Sequence, residues 1–270
     1  MSQHTLAAFL LPEGFAPPHP AAVLHEASIV GELGRCATRA LTERLPLPCV
    51  RGRDDEPRRG DPVLLVPGFL AGDVSLLPLA RGLRRSGHRA YRSHITANVG
   101  CTRDAAEELE VRLEHVVERE GRRARLVGHS LGGMLARGVA ARRPDLVSGL
   151  VTLGSPVLAP AAHHVSLTAG VQLLLGLSRI GVRGLMAADC VAGECARQSF
   201  DDCRAPLDPS IAYTAVWSRR DGFVDWRACV EPGADAVEVR TSHAGMAVCP
   251  TVLREVRRAL RHQQVAVRAA

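Results

Sequence analysis

The chain has 270 residues, of which 46% are hydrophobic, and its formal net charge is +6. This length suits one large α/β domain with a substantial core. All of the strongly basic residues are arginines scattered along the chain, and aromatic residues make up only 3%. A nucleic-acid-binding surface needs a basic face and stacking rings, so the composition argues against a nucleic-acid partner. The positive charge still favours attraction to anionic surfaces such as lipid headgroups.

The amino-terminal residues 1–20 lack the basic start and long apolar core of a secretory signal peptide. No apolar run approaches the roughly 20 residues that a membrane-spanning helix needs, and the sequence therefore predicts a cytoplasmic protein. Apolar residues recur at helical spacing from Ala21 to about Arg44, and a polar, proline-rich linker follows over residues 46–61. Residues 1–60 are thus predicted to be a helical extension, which either packs on the next domain or binds a partner.

The eight cysteines are the feature that fits a cytoplasmic protein least. They show neither the Cys-x-x-Cys spacing nor the Cys/His spacing that is typical of zinc sites, and no metal site is predicted. Cys190 is close in sequence to Cys195 and Cys203, and Cys229 could pair with Cys249. Such pairs are disulfides in an exported protein and buried thiols in the cytoplasm, and the sequence leaves both interpretations open.

Strands and helices alternate over residues 61–270, which are predicted to form the main domain. Val63–Val66 is a continuous apolar run, typical of a parallel strand that is buried on both faces. The alternation predicts an α/β fold with a mostly parallel central sheet and helices on both faces. The predicted strands are residues 63–66, 90–95, 124–129, 150–153, 212–217 and 236–239, and the predicted helices are residues 75–86, 103–121, 131–142 and 250–261.

Residues 157–209 interrupt this alternation. They contain an apolar, glycine-punctuated stretch from Val165 to Leu177, followed by a segment that carries cysteines and aspartates, Ala188–Asp208. An insertion at the carboxyl edge of a parallel sheet lies above the active-site crevice. We therefore predict that the insertion is a lid that shields substrate from water, with a simple core helix as the alternative for its apolar stretch.

The stretch Gly128-His129-Ser130-Leu131-Gly132 joins a predicted strand to a predicted helix. In a Gly-x-Ser-x-Gly turn, the glycines allow backbone segments to approach closely and the serine adopts a strained conformation that exposes its hydroxyl. The helix that follows directs its free N–H groups at developing negative charge. The pattern predicts Ser130 as a nucleophile.

A serine hydroxyl is a weak nucleophile and needs a base together with an acid that orients the base. In proteins with this Gly-x-Ser-x-Gly turn between a strand and a helix, the acid follows the serine along the chain and the histidine comes last. Asp221 lies just past a predicted strand in a glycine-containing turn, and it is favoured over the nearby Asp225. If it is not the acid, Asp221 would be an ordinary turn residue.

His243 lies in a loop of small residues between the last predicted strand and the last predicted helix, which is the position of the general base. Of the other histidines, His129 belongs to the serine turn and is expected to point elsewhere. His163 and His164 lie in the insertion, where a substrate-binding role is more plausible than a catalytic one. His243 is therefore the predicted base.

Hydrolysis through an acyl-serine also requires two backbone donors for the oxyanion. One is the N–H group of Leu131, the residue after the nucleophile. The other is expected from the turn after the first strand, where Gly68 allows close approach and presents the N–H group of Phe69.

These segments together resemble the serine α/β-hydrolases of the bacterial lipase/esterase type, over about Asp61–Leu260. The resemblance implies Ser130 as nucleophile, Asp221 as acid and His243 as base, and it implies no cofactor and no metal. Many relatives have His-Gly where this chain has Pro67-Gly68. The motifs that carry the resemblance are Val66-Pro67-Gly68-Phe69, Gly128-His129-Ser130-Leu131-Gly132-Gly133, Leu153-Gly154-Ser155-Pro156, Trp217-Ser218-Arg219-Arg220-Asp221-Gly222-Phe223-Val224-Asp225 and Ser242-His243.

The last three of these motifs are most similar to the triacylglycerol-lipase-like branch. The sequence therefore predicts hydrolysis of carboxylic esters, with a small-molecule or lipid ester of a hydrophobic acyl group as substrate. Acyl transfer from the same acyl-serine to an alcohol acceptor is one alternative. A non-catalytic scaffold that uses the amino-terminal helix to recruit a partner is the other.

Overall fold

A computed structural model of the protein describes residues 6–32, 34, 38 and 60–269. Six strands form a wholly parallel sheet in the order β2-β1-β3-β4-β5-β6. The strands are β1 (Pro62–Val66), β2 (Arg89–Arg92), β3 (Ala124–His129), β4 (Val147–Leu153), β5 (Ala212–Trp217) and β6 (Asp235–Glu238). The helices are α1 (Leu77–Arg85), α2 (Thr102–Glu120), α3 (Leu131–Arg142), α4 (Val165–Arg179), α5 (Asp189–Ala192), α6 (Glu194–Arg204) and α7 (Pro250–Ala269). Short 3₁₀ helices lie at Ala8–Leu10, Pro20–Ser28, Asp73–Leu76, Trp226–Cys229 and Ala244–Ala247.

The sheet is covered on both faces because successive side chains of a strand point to opposite sides. Val63 and Leu65 of β1 join a core cluster with residues of α1 and α7. Leu64 and Val66 join a second cluster with residues of α2 and α3. Every residue of β1, β3 and β4 is buried, which explains why β1 is an unbroken apolar run.

The strand order changes direction at β1, which lies between β2 and β3. In parallel α/β sheets, ligands bind at the carboxyl edge where such a reversal opens a crevice between neighbouring loops. Ser130 follows β3 directly, and the turn that contains Phe69 follows β1. The topology therefore brings these two predicted elements to adjacent positions at the same edge.

The predicted α/β fold with a mostly parallel sheet is confirmed, but some element boundaries differ. β4 begins at Val147 rather than at residue 150, because burial against the neighbouring strands overrides the weak strand preference of Ser148 and Gly149. β2 ends at Arg92 rather than at residue 95, where Asp73 accepts hydrogen bonds from the backbone of residues 93 and 94 and the chain turns away.

The amino-terminal segment is not the single α-helix that the sequence predicts. Pro20–Ser28 is a 3₁₀ helix, and residues 29–32 continue as α-helix. Because a 3₁₀ helix has three residues per turn, Val23 and the buried Glu26 share one edge of it. Most of the remaining predicted helix and nearly all of the predicted linker lie outside the described residues.

Residues 157–209 contain α4, α5 and α6. Buried residues of α4 form a cluster of their own with Met186 and Val191, and Phe69 packs against this cluster. The apolar stretch of the insertion is therefore not part of either core of the sheet. Among the described residues, none of the helices combines the length and the apolar character that crossing a lipid bilayer requires.

Candidate active site

Ser130 occupies a sharp turn between β3 and α3. Its φ of 53° and ψ of −125° place a residue with a side chain in a conformation that costs about 1–3 kcal/mol. A Cβ atom added at Gly128 would overlap the backbone of Gly132, and one added at Gly132 would overlap the carbonyl oxygen of Val66. The turn therefore needs glycine at both positions, and it holds the side chain of Ser130 at the carboxyl edge of the sheet.

Asp221 and His243 form a buried pair. Asp221 Oδ2 lies 2.6 Å from His243 Nδ1, and the two residues are 6% and 5% exposed. The second carboxylate oxygen of Asp221 accepts hydrogen bonds from the backbone N–H groups of Phe223 and Val224, at 2.9 and 2.8 Å. Both oxygens thus have partners, and the carboxylate is fixed with one of them directed at the imidazole.

Asp225, the alternative acid, has a different partner. Its Oδ1 accepts a hydrogen bond from the backbone N–H of Arg227 at 3.0 Å and lies 3.3 Å from the Arg227 guanidinium. Asp225 therefore caps the 3₁₀ helix Trp226–Cys229, as residues with short acceptor side chains commonly do.

The electrostatics of the buried pair favour a basic imidazole. Burial disfavours the imidazolium, but the Asp221 carboxylate outweighs it and raises the pKa of His243 above the ordinary value of 6.5. Because a carboxylate only accepts, the proton of the neutral imidazole lies on Nδ1. Nε2 of His243 is then the atom that can take a proton from another group.

His129 packs beside this pair rather than away from it. Its ring centroid lies 4.9 Å from that of His243, and its Nε2 donates a hydrogen bond to the carbonyl oxygen of His243 at 3.0 Å. Burial lowers the pKa of His129 to about 3, so this imidazole is neutral at pH 7. The residue before the serine therefore supports the backbone of His243.

The end of β4 lies between the serine and the buried pair. The backbone N–H of Ser130 donates a hydrogen bond to the carbonyl oxygen of Leu153 at 2.9 Å. A Cβ atom added at the next residue, Gly154, would lie 3.1 Å from His243 Nδ1 and 3.2 Å from Asp221 Oδ2. Ser130 therefore contacts the last residue of β4, and the Asp221–His243 pair lies beside the residue that follows it.

The turn after β1 also lies next to Ser130. A Cβ atom added at Gly68 would lie 3.0 Å from Ser130 Cβ, so a larger residue there would press on the serine. Asn98 fixes this turn, because its Nδ2 donates a hydrogen bond to the carbonyl oxygen of Pro67 at 2.9 Å and its own carbonyl accepts one from Leu70 N at 3.1 Å. Sequence analysis missed Asn98, since a polar residue in a loop carries no distinguishing signal.

Of the two predicted oxyanion donors, Leu131 is the first residue of α3. The first N–H groups of a helix have no acceptor within the helix. Phe69 follows Gly68 and forms an isolated bridge with Asn98. Both predicted donors therefore lie next to the serine turn.

A cavity of about 280 Å³ opens beside Ser130. Phe69 and Leu131 contribute to its wall, and so do apolar residues of the insertion, Leu167, Val171 and Met186. Its surface near the serine is thus mainly apolar. Such a lining suits the hydrocarbon part of a ligand rather than a charged group.

Comparison with known proteins shows what part of the chain is similar to. A family model described as the alpha/beta hydrolase fold matches residues 61–174, which include the strained serine turn. Over these residues the chain is similar to the α/β-hydrolase fold family. The chain is also 32% identical over 99 residues to a triacylglycerol lipase of Vibrio cholerae serotype O1. That match covers 34% of the chain and 31% of the lipase, so the chain spans about a third of the length of this curated relative.

Solved structures extend the similarity over most of the chain. The mature lipase BlEst2 of Bacillus licheniformis superposes with a TM-score of 0.60 at 15% identity, over 76% of this chain and 94% of that one. Cfl2 of Burkholderia cenocepacia superposes with a TM-score of 0.52 at 16% identity, over 78% and 90% of the two chains. At these identities the likeness establishes the shared fold.

The amino-terminal segment adds two buried carboxylates near the site, which sequence analysis missed. Glu26 accepts hydrogen bonds from the backbone of Gly222 and His243, and Glu32 accepts hydrogen bonds from the backbone and hydroxyl of Ser242. A glutamate in an amphipathic helix pattern is ordinarily exposed. Nothing in the sequence therefore distinguishes these two from surface residues.

The six cysteines that the structure describes are free thiols. Cys190 and Cys195 are near each other, and Cys101, which sequence analysis did not link to them, joins them. The ligand atoms of these three residues lie within 4.8 Å of one another. In the described part of the chain, they are the group with the chemistry to hold a metal ion.

Proposed function

We propose that this protein hydrolyses carboxylic esters of hydrophobic acyl groups through an acyl-serine intermediate. In this proposal Ser130 is the nucleophile and His243 is the general base. Asp221 orients the imidazole of His243 and stabilises its protonated form. The observation that carries it is the 2.6 Å contact between Asp221 Oδ2 and His243 Nδ1 at the sheet edge where Ser130 occupies its strained turn.

The reaction begins when Ser130 Oγ attacks the ester carbonyl carbon and His243 Nε2 takes the hydroxyl proton. The N–H groups of Phe69 and Leu131 stabilise the oxyanion of the tetrahedral intermediate. The bond from carbon to the alcohol oxygen breaks, and His243 gives its proton to the departing alcohol. Water then attacks the acyl-serine, with its proton going to His243, and the acid leaves as Ser130 regains its hydrogen.

The apolar cavity supports a hydrophobic acyl group as the bound part of the substrate. Its volume, about 280 Å³, is just below the usual range for ligand pockets, which begins at about 300 Å³. This volume favours a single acyl chain over a larger lipid held whole. The names of the relatives agree with this class, since the Vibrio cholerae protein is a triacylglycerol lipase and BlEst2 is a lipase.

We also propose that residues 157–209 act as a lid that contacts lipid surfaces. The helix α4 has one side buried over the cavity and exposes large apolar residues on the other. Val165 and Leu173 of α4 are 59% and 63% exposed, and Ile180, which follows the helix, is 78% exposed. An exposed apolar surface next to an apolar cavity suits delivery of an acyl chain from an aggregate of substrate.

The test combines covalent labelling with turnover. A fluorophosphonate probe should label the wild-type protein at Ser130, and a series of p-nitrophenyl esters should show a preferred acyl length. Ser130→Ala should lose both labelling and turnover while remaining folded. The control is Ser199→Ala, which removes another hydroxyl from the same cavity wall and should keep both.

Turnover that survives Ser130→Ala would reject the assignment of the nucleophile. A wild-type protein that neither reacts with the probe nor turns over any ester would favour the scaffold alternative. Product analysis with an added alcohol separates hydrolysis from acyl transfer, because transfer would give a new ester in place of the free acid.

A further inference from the structure

The amino-terminal segment reaches the two loops that carry Asp221 and His243. Glu26 Oε1 accepts hydrogen bonds from the backbone N–H of Gly222 at 2.9 Å and of His243 at 2.8 Å. Its Oε2 accepts a third from the backbone N–H of Ala244 at 3.0 Å. One buried carboxylate therefore joins the residue after the acid to the base itself.

Neighbouring contacts show that these loops are shaped to receive the segment. A Cβ atom added at Gly222 would overlap the carbonyl oxygen of Ala22, and one added at Gly245 would overlap the carboxylate of Glu32. Glu32 Oε1 accepts hydrogen bonds from the hydroxyl of Thr241 at 2.7 Å and from the backbone N–H of Ser242 at 3.0 Å. The two loops thus have glycine at the positions where the amino-terminal segment comes closest to them, Gly222 and Gly245.

The docked segment supplies acceptors to backbone donors of both loops. A buried backbone N–H without an acceptor is costly, and a carboxylate that accepts several N–H groups makes hydrogen bonds stronger than neutral ones. Without Glu26, the N–H groups of Gly222, His243 and Ala244 would need new acceptors. The loops would then move relative to each other, and the geometry of the Asp221–His243 contact would change.

We propose that Glu26 is a positioning residue for the reaction, which holds the base loop against the acid loop so that His243 is presented correctly to Ser130. This inference rests on the proposed ester hydrolysis. Both carboxylate oxygens of Glu26 accept backbone N–H groups, one of them that of His243, so Glu26 acts through the backbone of His243 and not on the substrate.

The effect should fall on kcat with little change in KM. Glu26→Ala removes both acceptor oxygens and with them all three hydrogen bonds. A displacement of about 1 Å at a catalytic group can cost about 10²-fold in rate. Glu26→Gln keeps one oxygen but turns an amide N–H₂ towards a donor, and should lose less. Glu26→Asp retains the charge and should recover part of the loss. The control is Glu13→Gln, which changes an exposed glutamate of the same segment.

A second readout separates positioning from loss of stability. The titratable groups around His243 are Asp221, Glu26 and His129, and both carboxylates raise the pKa of His243. Glu26→Gln should therefore move the acid limb of kcat/KM to lower pH, whereas Glu26→Asp should not. Rates are expressed per serine labelled at the end point of fluorophosphonate reaction, so that unfolded protein does not count.

This inference would be overturned if both Glu26→Ala and Glu26→Gln had the kcat per labelled serine and the pH profile of the wild-type protein. That outcome would count whatever the melting temperatures of the variants. Failure of the proposed function itself has a different signature, because the wild-type protein would then be neither labelled nor active.

A different cluster carries a second inference, which is independent of ester hydrolysis. Cys101 precedes α2, Cys190 lies in α5 and Cys195 lies in the first turn of α6. The Sγ atoms of Cys101 and Cys195 are 3.4 Å apart, and all three sulfur atoms lie within 4.8 Å of one another. In tetrahedral zinc sites with Zn–S bonds of about 2.3 Å, neighbouring sulfur atoms are about 3.8 Å apart. The three thiols thus have nearly the spacing of three such ligands.

Other contacts fix this spacing and leave access to it. The Asp189 carboxylate accepts hydrogen bonds from the backbone N–H groups of Glu194 and Cys195, at 2.9 and 3.3 Å, which sets the turn between α5 and α6. Cys190 is half-buried and lines the cavity. A cation held by the sulfur atoms could therefore take a fourth ligand, water, from that side.

We infer that Cys101, Cys190 and Cys195 bind a thiophilic divalent cation of the Zn²⁺ type, which would tie the insertion to α2. Binding releases the displaced thiol protons to solvent. The probe is Co²⁺, added to reduced, chelator-treated full-length protein without oxygen. One equivalent of Co²⁺ should produce thiolate-to-Co²⁺ charge-transfer absorption. Added Zn²⁺ should displace the bound Co²⁺ and abolish that absorption.

The absorption should disappear in Cys101→Ser and in Cys195→Ser. It should persist in Cys249→Ser, which changes a thiol in the core cluster around α1 and α7. The inference would be overturned if the protein bound less than one equivalent of Co²⁺, or if the absorption survived in Cys195→Ser. A Cys101–Cys195 disulfide found by mass spectrometry in protein isolated without oxygen would also overturn it.

Discussion

Asp221 Oδ2 and His243 Nδ1 are 2.6 Å apart, and 22 positions of sequence separate the two residues. The nearby Asp225 instead accepts the backbone N–H of Arg227. The loops after β5 and β6 therefore select one of two closely spaced aspartates as the partner of the imidazole.

The first prediction concerns this selection. Asp221→Asn should lower kcat on a p-nitrophenyl ester by about 10⁴-fold, since an amide can orient the wrong imidazole tautomer and cannot stabilise the imidazolium. Asp225→Asn removes a helix cap and should change kcat far less. Steady-state kinetics of both variants give the comparison, and the opposite ranking would assign the acid to Asp225.

The second prediction concerns pH. His243 must be unprotonated to accept the proton of Ser130, so kcat/KM should fall as pH decreases through the raised pKa of His243, above 6.5. Asp221→Asn removes the negative charge that raises the pKa of His243, while burial still lowers that pKa. The acid limb of the remaining activity should therefore lie at lower pH than in the wild-type protein. A pH–rate profile of each protein checks this, and an unmoved limb would contradict it.

The third prediction concerns the serine turn. Gly132→Ala places a Cβ atom against the carbonyl oxygens of Val66 and Pro67, and should reduce the free energy of unfolding by about 1–3 kcal/mol or more. Gly176→Ala is the matched control, because a Cβ atom there meets nothing within 4 Å. In the helix α4 that change should stabilise by up to about 1 kcal/mol. Chemical denaturation measures both, and equal effects would be inconsistent with the packing described.

The fourth prediction concerns the turn that carries Phe69. Asn98→Ala removes the side-chain donor to the carbonyl oxygen of Pro67, and should cost about 1–3 kcal/mol of stability. A displaced oxyanion donor should also lower kcat, by up to about 10²-fold, with little effect on KM. Kinetics and thermal unfolding measure the two effects, and unchanged kcat would show that the turn holds its shape without Asn98.

The fifth prediction concerns the exposed side of α4. Replacing Leu173 with Asp should reduce activity on an emulsified ester by about ten-fold or more. The reason is that burying one leucine side chain in a lipid interface strengthens binding to it by about that factor. Activity on a dissolved short-chain ester should not change. Val111→Asp is the control, since Val111 is also exposed, at 53%, but lies on α2. Equal losses on both substrates would reject the lipid-contact role.

The sequence by itself determined the α/β class and the serine turn, because both depend on local physical constraints. A fully buried parallel strand must be apolar throughout, as Val63–Val66 is. A turn as tight as that at Ser130 tolerates only glycine at Gly128 and Gly132. The positions of Asp221 and His243 after successive strands also placed them at one sheet edge.

Only the tertiary structure revealed the contacts of Glu26, Asn98 and Cys101. Glu26 bonds to backbone N–H groups more than 190 positions away, and a backbone donor is the same at every residue type except proline. Asn98 likewise acts on a main-chain carbonyl, and Cys101 meets Cys195 across 94 positions. Such contacts leave no pattern along the chain, because their geometry is set by how separate loops pack.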